Sequence, residues 1–196
     1  VQGYKRREIA AEDFVAAVDP INPDAQYQAL EHVPVHAYDA VLLCVPDEPK
    51  IALIKYCLDH AKHVLVEKPL WAATEQEIIE IQALSRAKGR VCYVAYNHRF
   101  EPHFIRMRNL ITSNVLGEIY HCRMFYGNGT ARLVRNSPWR DQGAGVLPDL
   151  GSHLFDLAHF WFGLSDDPFS VVSSRCFENK APDHVVCKSQ TTKPQL

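Results

Sequence analysis

The first half of this chain repeats one pattern: a short β-branched apolar run that stops at a proline or a polar turn, then a stretch with helical spacing. "DAVLLCVP" (39–46) is followed by "PKIALIKYCLDHAK" (49–62), where Ile51, Ile54, Lys55 and Leu58 recur at helical intervals, and then by "HVLVEKP" (63–69). Thr74 with Glu77 makes a capping box that opens a second helix through residue 87, which Gly89 closes, and "RVCYVAYN" (90–97) is the next strand. "FVAAVDP" (14–20) reads as one more strand ahead of these. Strands that are apolar almost throughout and are joined by helices belong to a parallel sheet of the doubly wound kind, whose ligand sites lie beyond the carboxyl ends of the strands. Asp19, Pro46, Glu67, Lys68 and Asn97 fall at such ends.

After Arg99 the texture changes. A polar helix is expected at about 102–115, followed by Gly117, a long alternating strand "EIYHCRMFYGN" (118–128), a loop, the apolar run "DLGSHLFDLAHFW" (149–161) and a strand "FSVVSSRCF" (169–177). The fold class expected is therefore α/β: a Rossmann-like doubly wound parallel sheet in residues 1–99, then an α+β domain with an open, mainly antiparallel sheet in residues 100–196.

Composition narrows the function. With 47% apolar residues the chain can bury a real core, and a formal net charge of −2 offers no general attraction to phosphate backbones or anionic lipid. Nucleic acid is not an expected partner. The six cysteines are far apart with no C-x-x-C pair, which points to reduced thiols in a cytoplasmic setting and to no zinc site. No apolar run approaches the roughly 18 residues that span a bilayer, and the first residues are charged where a signal peptide would be apolar. No membrane association is expected.

Two clusters draw attention to chemistry. In "DLGSHLFDLAHFW", Asp149 and His153 are four residues apart and on a helix would share one face, whereas Asp156 and His159 read as satisfied core residues. A histidine has an unperturbed pKa of about 6.5, suited to exchanging a hydroxyl proton. Between residues 99 and 140 there are seven arginines and two acids; most of these arginines read as solvated, and Arg140, close before Asp149, as a grip for a carboxylate or phosphate on a substrate. Asp19 is open to two readings, an acid that binds ribose hydroxyls and the start of an ordinary Asp-Pro turn.

"KHVLVEKPLW" (62–71), "YNHRFEP" (96–102) and "WRDQGAGVLPDLGSHLFDLAHFWFG" (139–163), in this order, resemble the glucose-fructose oxidoreductase, inositol dehydrogenase and rhizopine-catabolism family of NAD(P)-dependent oxidoreductases. The resemblance implies a Rossmann domain, here incomplete, and a C-terminal domain that carries substrate and often the homo-oligomer interface. It implies hydride transfer between NAD or NADP and a secondary alcohol of a sugar, cyclitol or related polyhydroxylated small molecule. Asp19 would favour NAD. Lys68 matches the lysine of the family's E-K-P motif, Asp149 and His153 match its D-x-x-x-H pair, and Asn97 occupies its polar position. Catalysis is thus expected from Lys68, Asp149 and His153, cofactor contacts from Asp19, Pro46, Glu67, Lys68 and Asn97, and substrate contacts from Lys68, Asn97, Arg140, Asp149 and His153. The lysine's ammonium would stabilise a developing alkoxide.

The chain also departs from the family. It contains no G-x-G-x-x-G turn for the pyrophosphate, has few residues between Asp19 and Asp39 for a helix and a strand, lacks the last C-terminal strands after about Val186, and carries Lys50 where the family often has histidine. It reads as a middle portion of the family fold. Two other readings stay open: a non-catalytic member or interaction module, and a metal-dependent hydrolase with Asp149 and His153 as ligands, which would need a third ligand that the sequence does not identify.

Overall fold

In a computed structural model of the chain, residues 13–190 are described apart from 72, 128, 130, 138–139 and 164–166; Trp139 of the third motif lies outside them. The chain divides into two compact units, Val1–Ala95 and Tyr96–Leu196.

The first unit is built on strands β1 (Ala40–Leu43), β2 (His63–Val66) and β3 (Cys92–Val94), hydrogen-bonded side by side in that order and all parallel. Helix α1 (Lys50–Asp59) links β1 to β2, and α2 (Glu75–Lys88) links β2 to β3. The expected capping box is present: Thr74 Oγ1 accepts the Glu77 amide at 3.2 Å, and Glu77 Oε2 accepts the Thr74 amide at 2.8 Å. Gly89 ends α2 at φ +60°, a left-handed conformation that costs a glycine nothing. The apolar face of α1, with Ile54, Cys57 and Leu58, packs on Leu43, Val64 and Val66 of the sheet and on Ile81 of α2. Each such fully buried side chain contributes about 1.5–3 kcal/mol.

The other face of the sheet differs. Leu42, Leu65 and Tyr93 are aligned across the three strands by register and remain 43%, 41% and 36% exposed. The expected strand over 14–20 is reduced to a single bridge, Val18 to Tyr27, because within the described residues no neighbouring strand extends the ladder.

Burial also sets the reactivity of one thiol. Cys57 is fully enclosed and its pKa is pushed up to about 11 by loss of solvent, so its reactive thiolate is scarce at neutral pH. Maleimide labelling of the folded chain, read by peptide mass, is expected to modify the exposed Cys44 and Cys176 and to leave Cys57 unmodified until denaturant is added. Labelling of Cys57 at the rate of Cys44 would mean that the core opens readily.

The second unit begins with a 3₁₀ turn (Asn97–Phe100) and helix α3 (Pro102–Thr112). A turn of π-helix (Leu147–Gly151) runs directly into α4 (Ser152–Phe162), so Asp149 and His153 lie on two joined helical segments rather than on one regular α-helix. α3 and α4 meet through Trp161 Nε1, which donates to the Phe104 carbonyl at 3.2 Å, and through Arg108, whose guanidinium lies 4.6 Å from the centre of the Phe160 ring.

Strand β4 (Ser170–Arg175) pairs antiparallel with β5 (His184–Lys188), which the sequence reading did not include. The alternating run 118–128, expected as a strand, forms no ladder over its described residues. Alternation marks a face for burial, but a strand also needs a partner, and residues 118–127 have none among the described residues. A knot of backbone bonds ties the loop before the π turn to the turn before β5. Asp141 accepts the amides of Ala181 (2.9 Å), Asn136 (2.7 Å) and Lys180 (2.7 Å), which hold its carboxyl below the usual range. Gly145, at φ +56°, sits so close to Pro182 that a Cβ would fall 2.1 Å from its carbonyl oxygen.

Candidate active site

In the first unit, the loops that leave the carboxyl ends of β1 and β2 carry the predicted residues. Pro46 is exposed after β1. Glu67 continues the pairing beyond the ladder, its amide donating to the Leu43 carbonyl at 2.8 Å, and its Oε2 accepts the Lys68 amide at 3.3 Å. The Lys68–Pro69 peptide is cis. Lys50, buried at the start of α1, donates from Nζ to the Pro69 carbonyl at 2.6 Å and lies 3.4 Å from Asp47, so it fastens α1 to the Glu67–Pro69 loop. Burial pulls its ammonium below the usual lysine range, and Asp47 opposes that shift. Asp19 is exposed, and its Oδ1 accepts the amides of Ile21 (2.9 Å) and Asn22 (3.2 Å), the geometry of a turn.

In the second unit, Asn97 opens the 3₁₀ turn and the π turn presents Asp149, whose Oδ2 is 3.7 Å from Arg140 Nε. Arg140 thus faces an acid of the protein itself. His153 is buried at the first turn of α4, with its ring 4.4 Å from that of His98 and within 6.1 Å and 5.8 Å of Tyr96 and Tyr126. Asp156 is the structural residue expected, held by Arg99 through Nε (2.8 Å) and Nη2 (2.5 Å). His159 is not a core residue as expected: it is exposed, because it lies away from the side of α4 that buries His153 and Leu157. A cavity of about 260 Å³ lies beside His98, lined in part by Glu101, His103, Phe104, Tyr126 and Trp161. The sequence reading passed over His98 and Glu101, and noted Lys50 only as a departure from the family. The signal for the first two was a histidine and an acid three residues apart inside "YNHRFEP".

Two family models cover nearly the whole chain. One, described as an oxidoreductase family with an NAD-binding Rossmann fold, matches residues 2–96, and the other, the GFO/IDH/MocA C-terminal domain, matches residues 104–191. The chain belongs to the Gfo/Idh/MocA oxidoreductase family. An uncharacterised oxidoreductase of Escherichia coli strain K12 is 32% identical over 129 residues, covering 64% of this chain and 36% of the relative. An inositol 2-dehydrogenase of Rhizobium meliloti is 28% identical over 136 residues, covering 69% of this chain and 39% of the relative. The crystal structure of an inositol dehydrogenase homolog complexed with NADH and myo-inositol, from Azotobacter vinelandii, is 26% identical with a TM-score of 0.60, covering 72% of this chain and 37% of that one. The chain therefore spans well under half the length of these Gfo/Idh/MocA relatives.

Gfo/Idh/MocA membership implies a nicotinamide dinucleotide. The exposed carboxylate of Asp19 suits ribose hydroxyls, and the loops around Pro46, Glu67 and Lys68 lie where a parallel sheet of this kind receives its ligand. Among the described residues no glycine precedes Gly89, so the close turn that a pyrophosphate needs is not part of this fit. Among the described residues no group of three His, Cys, Asp or Glu is placed to hold a metal ion, and no helix is long and apolar enough to cross a membrane.

Proposed function

We propose that this chain is the central part of an NAD(P)-dependent dehydrogenase, with NAD preferred, that acts on a secondary alcohol of a sugar, cyclitol or related polyhydroxylated small molecule. The observation that carries the reading is His153: an imidazole buried among aromatic rings, four residues after an acid that is itself oriented by Arg140. Its setting suits a group that exchanges one proton with one bound hydroxyl. The relatives named for inositol, and the one bound to NADH and myo-inositol, support the substrate class.

The dinucleotide, when bound, supplies the hydride acceptor. His153 takes the hydroxyl proton as the carbon–hydrogen bond is broken, and a general base of this kind is worth about 10²–10⁴-fold in rate. Lys68 places an ammonium for the negative charge that develops on the substrate oxygen. Asp149, its carboxylate held by Arg140, accepts from a neighbouring hydroxyl, and Asn97 offers an amide for both ligands. Residues 1–99 serve the dinucleotide and 100–196 the substrate, in a homo-oligomeric cytoplasmic enzyme. The test is a panel of inositol isomers and hexoses with NAD⁺ and NADP⁺, followed by nicotinamide absorbance on the protein that contains this chain. Turnover of a polyol is expected, and its absence across the panel would remove the reading.

Cofactor choice rests on Asp19. If its carboxylate meets the ribose, it repels a 2′-phosphate, and Asp19→Ala is expected to bring the NAD-to-NADP ratio of kcat/KM down by about tenfold, a 1.4 kcal/mol difference. An unchanged ratio would leave Asp19 as the turn residue that its bonds to Ile21 and Asn22 describe.

A further inference from the structure

Building on the dehydrogenase reading, we propose that His98, Glu101 and His103 form a relay that carries the substrate's hydroxyl proton from His153 to water. Oxidising a secondary alcohol releases one proton with each hydride, and His153, 7% exposed, is poorly placed to hand it to bulk solvent. Next to it stands His98, with ring centroids 4.4 Å apart and planes tilted by 54°, so the two rings are in contact. The Nδ1 of His98 is in hydrogen-bond contact with Oε1 of Glu101, and the other oxygen, Oε2, is 3.2 Å from Nε2 of His103. Side-chain exposure climbs along the series, 18% at His98, 34% at Glu101 and 66% at His103.

A path for protons needs titratable groups in contact, ordered from the buried site to the surface, and this series has that order. The acids nearest His153 in sequence, Asp149 and Asp156, are instead paired with Arg140 and Arg99. Glu101 differs from them in placing each oxygen against a different imidazole.

In the transfer, one ring nitrogen of His98 takes the proton from His153 while Nδ1 gives its own to Oε1 of Glu101. The neutral carboxyl turns over and delivers it to Nε2 of His103, and His103 loses a proton to water. Proton exchange with water through the same groups returns His98 and His103 to their starting tautomers. One proton enters, one leaves, and every group regains its charge.

Histidine-labelled nitrogen NMR on the full 196-residue chain reads the relay without any turnover, through exchange of the His153 ring N–H with water; the signal is assigned by its loss in His153→Asn. Glu101→Gln keeps a hydrogen-bonding group of the same shape but cannot take up a proton, and it is expected to slow this exchange by about tenfold or more. His103→Gln, at an exposed position that folding does not depend on, is expected to slow it too, with added imidazole restoring the rate. Exchange at the wild-type rate in both variants would overturn the relay, whatever activity the enzyme shows. Relay-dependent exchange in a protein that oxidises no polyol would overturn the dehydrogenase reading and leave the relay standing.

Discussion

In the active enzyme, His153→Asn is expected to lower kcat by about 10²–10⁴-fold while cofactor affinity and melting temperature stay close to wild type. Asparagine keeps a polar, planar group of smaller size in the same pocket, so Tyr96 and Tyr126 still have a side chain to pack on, but it cannot exchange a proton. Lys68→Met is expected to act alike, through loss of the charge that stabilises the developing alkoxide. His159→Asn is the control: six residues on and exposed, it should change neither turnover nor stability by more than the roughly 0.5 kcal/mol usual for surface positions. Steady-state kinetics and thermal melts on the three variants decide the matter. Near-normal turnover in His153→Asn with an early melt would make the segment a polar-edged core helix and nothing more.

The second large effect is on stability. Arg99→Leu is expected to destabilise the second unit by about 3 kcal/mol, read from denaturant melts of the chain. The side chain of Asp156 is 7% exposed, and the two nitrogens of Arg99 that grip it supply its charge partner from the 3₁₀ turn. Removing the guanidinium leaves a carboxylate out of water, and also removes its contact with the Phe160 ring at 5.4 Å. The 26% exposure of Arg99 lets some water replace it, which keeps the figure at the low end for a buried pair. Replacing both partners, Arg99→Leu with Asp156→Leu, should recover much of the loss, since no buried charge then remains. A single variant that melts like the wild type would show that the pair contributes nothing.

How much of this was legible beforehand depended on the range of the interactions involved. The parallel sheet could be read because its signals are local: apolar runs, a capping box at Thr74 and Glu77, and a left-handed glycine at 89 each act within a few residues. Asp149 and His153 stood out for the same reason, although the π turn between them did not, since nothing in "LPDLG" distinguishes five-residue from four-residue hydrogen bonding. Residues 14–20 and 118–128 carry good strand patterns, yet strand formation is decided by a neighbour far along the chain. His159 was placed in the core because the run around it is apolar all round, which hides the direction of the packed face. The meeting of His98 with His153 spans 55 residues and could emerge only once the 3₁₀ turn and α4 were both in place.

The sheet face that carries Leu42, Leu65 and Tyr93 bears on how the chain behaves outside its own fold. A row of three large apolar side chains on a parallel sheet, left open to water, is a site of attraction for any other apolar surface. Handled alone at high concentration, the chain therefore has a built-in tendency to self-associate that its net charge of −2 is too small to oppose.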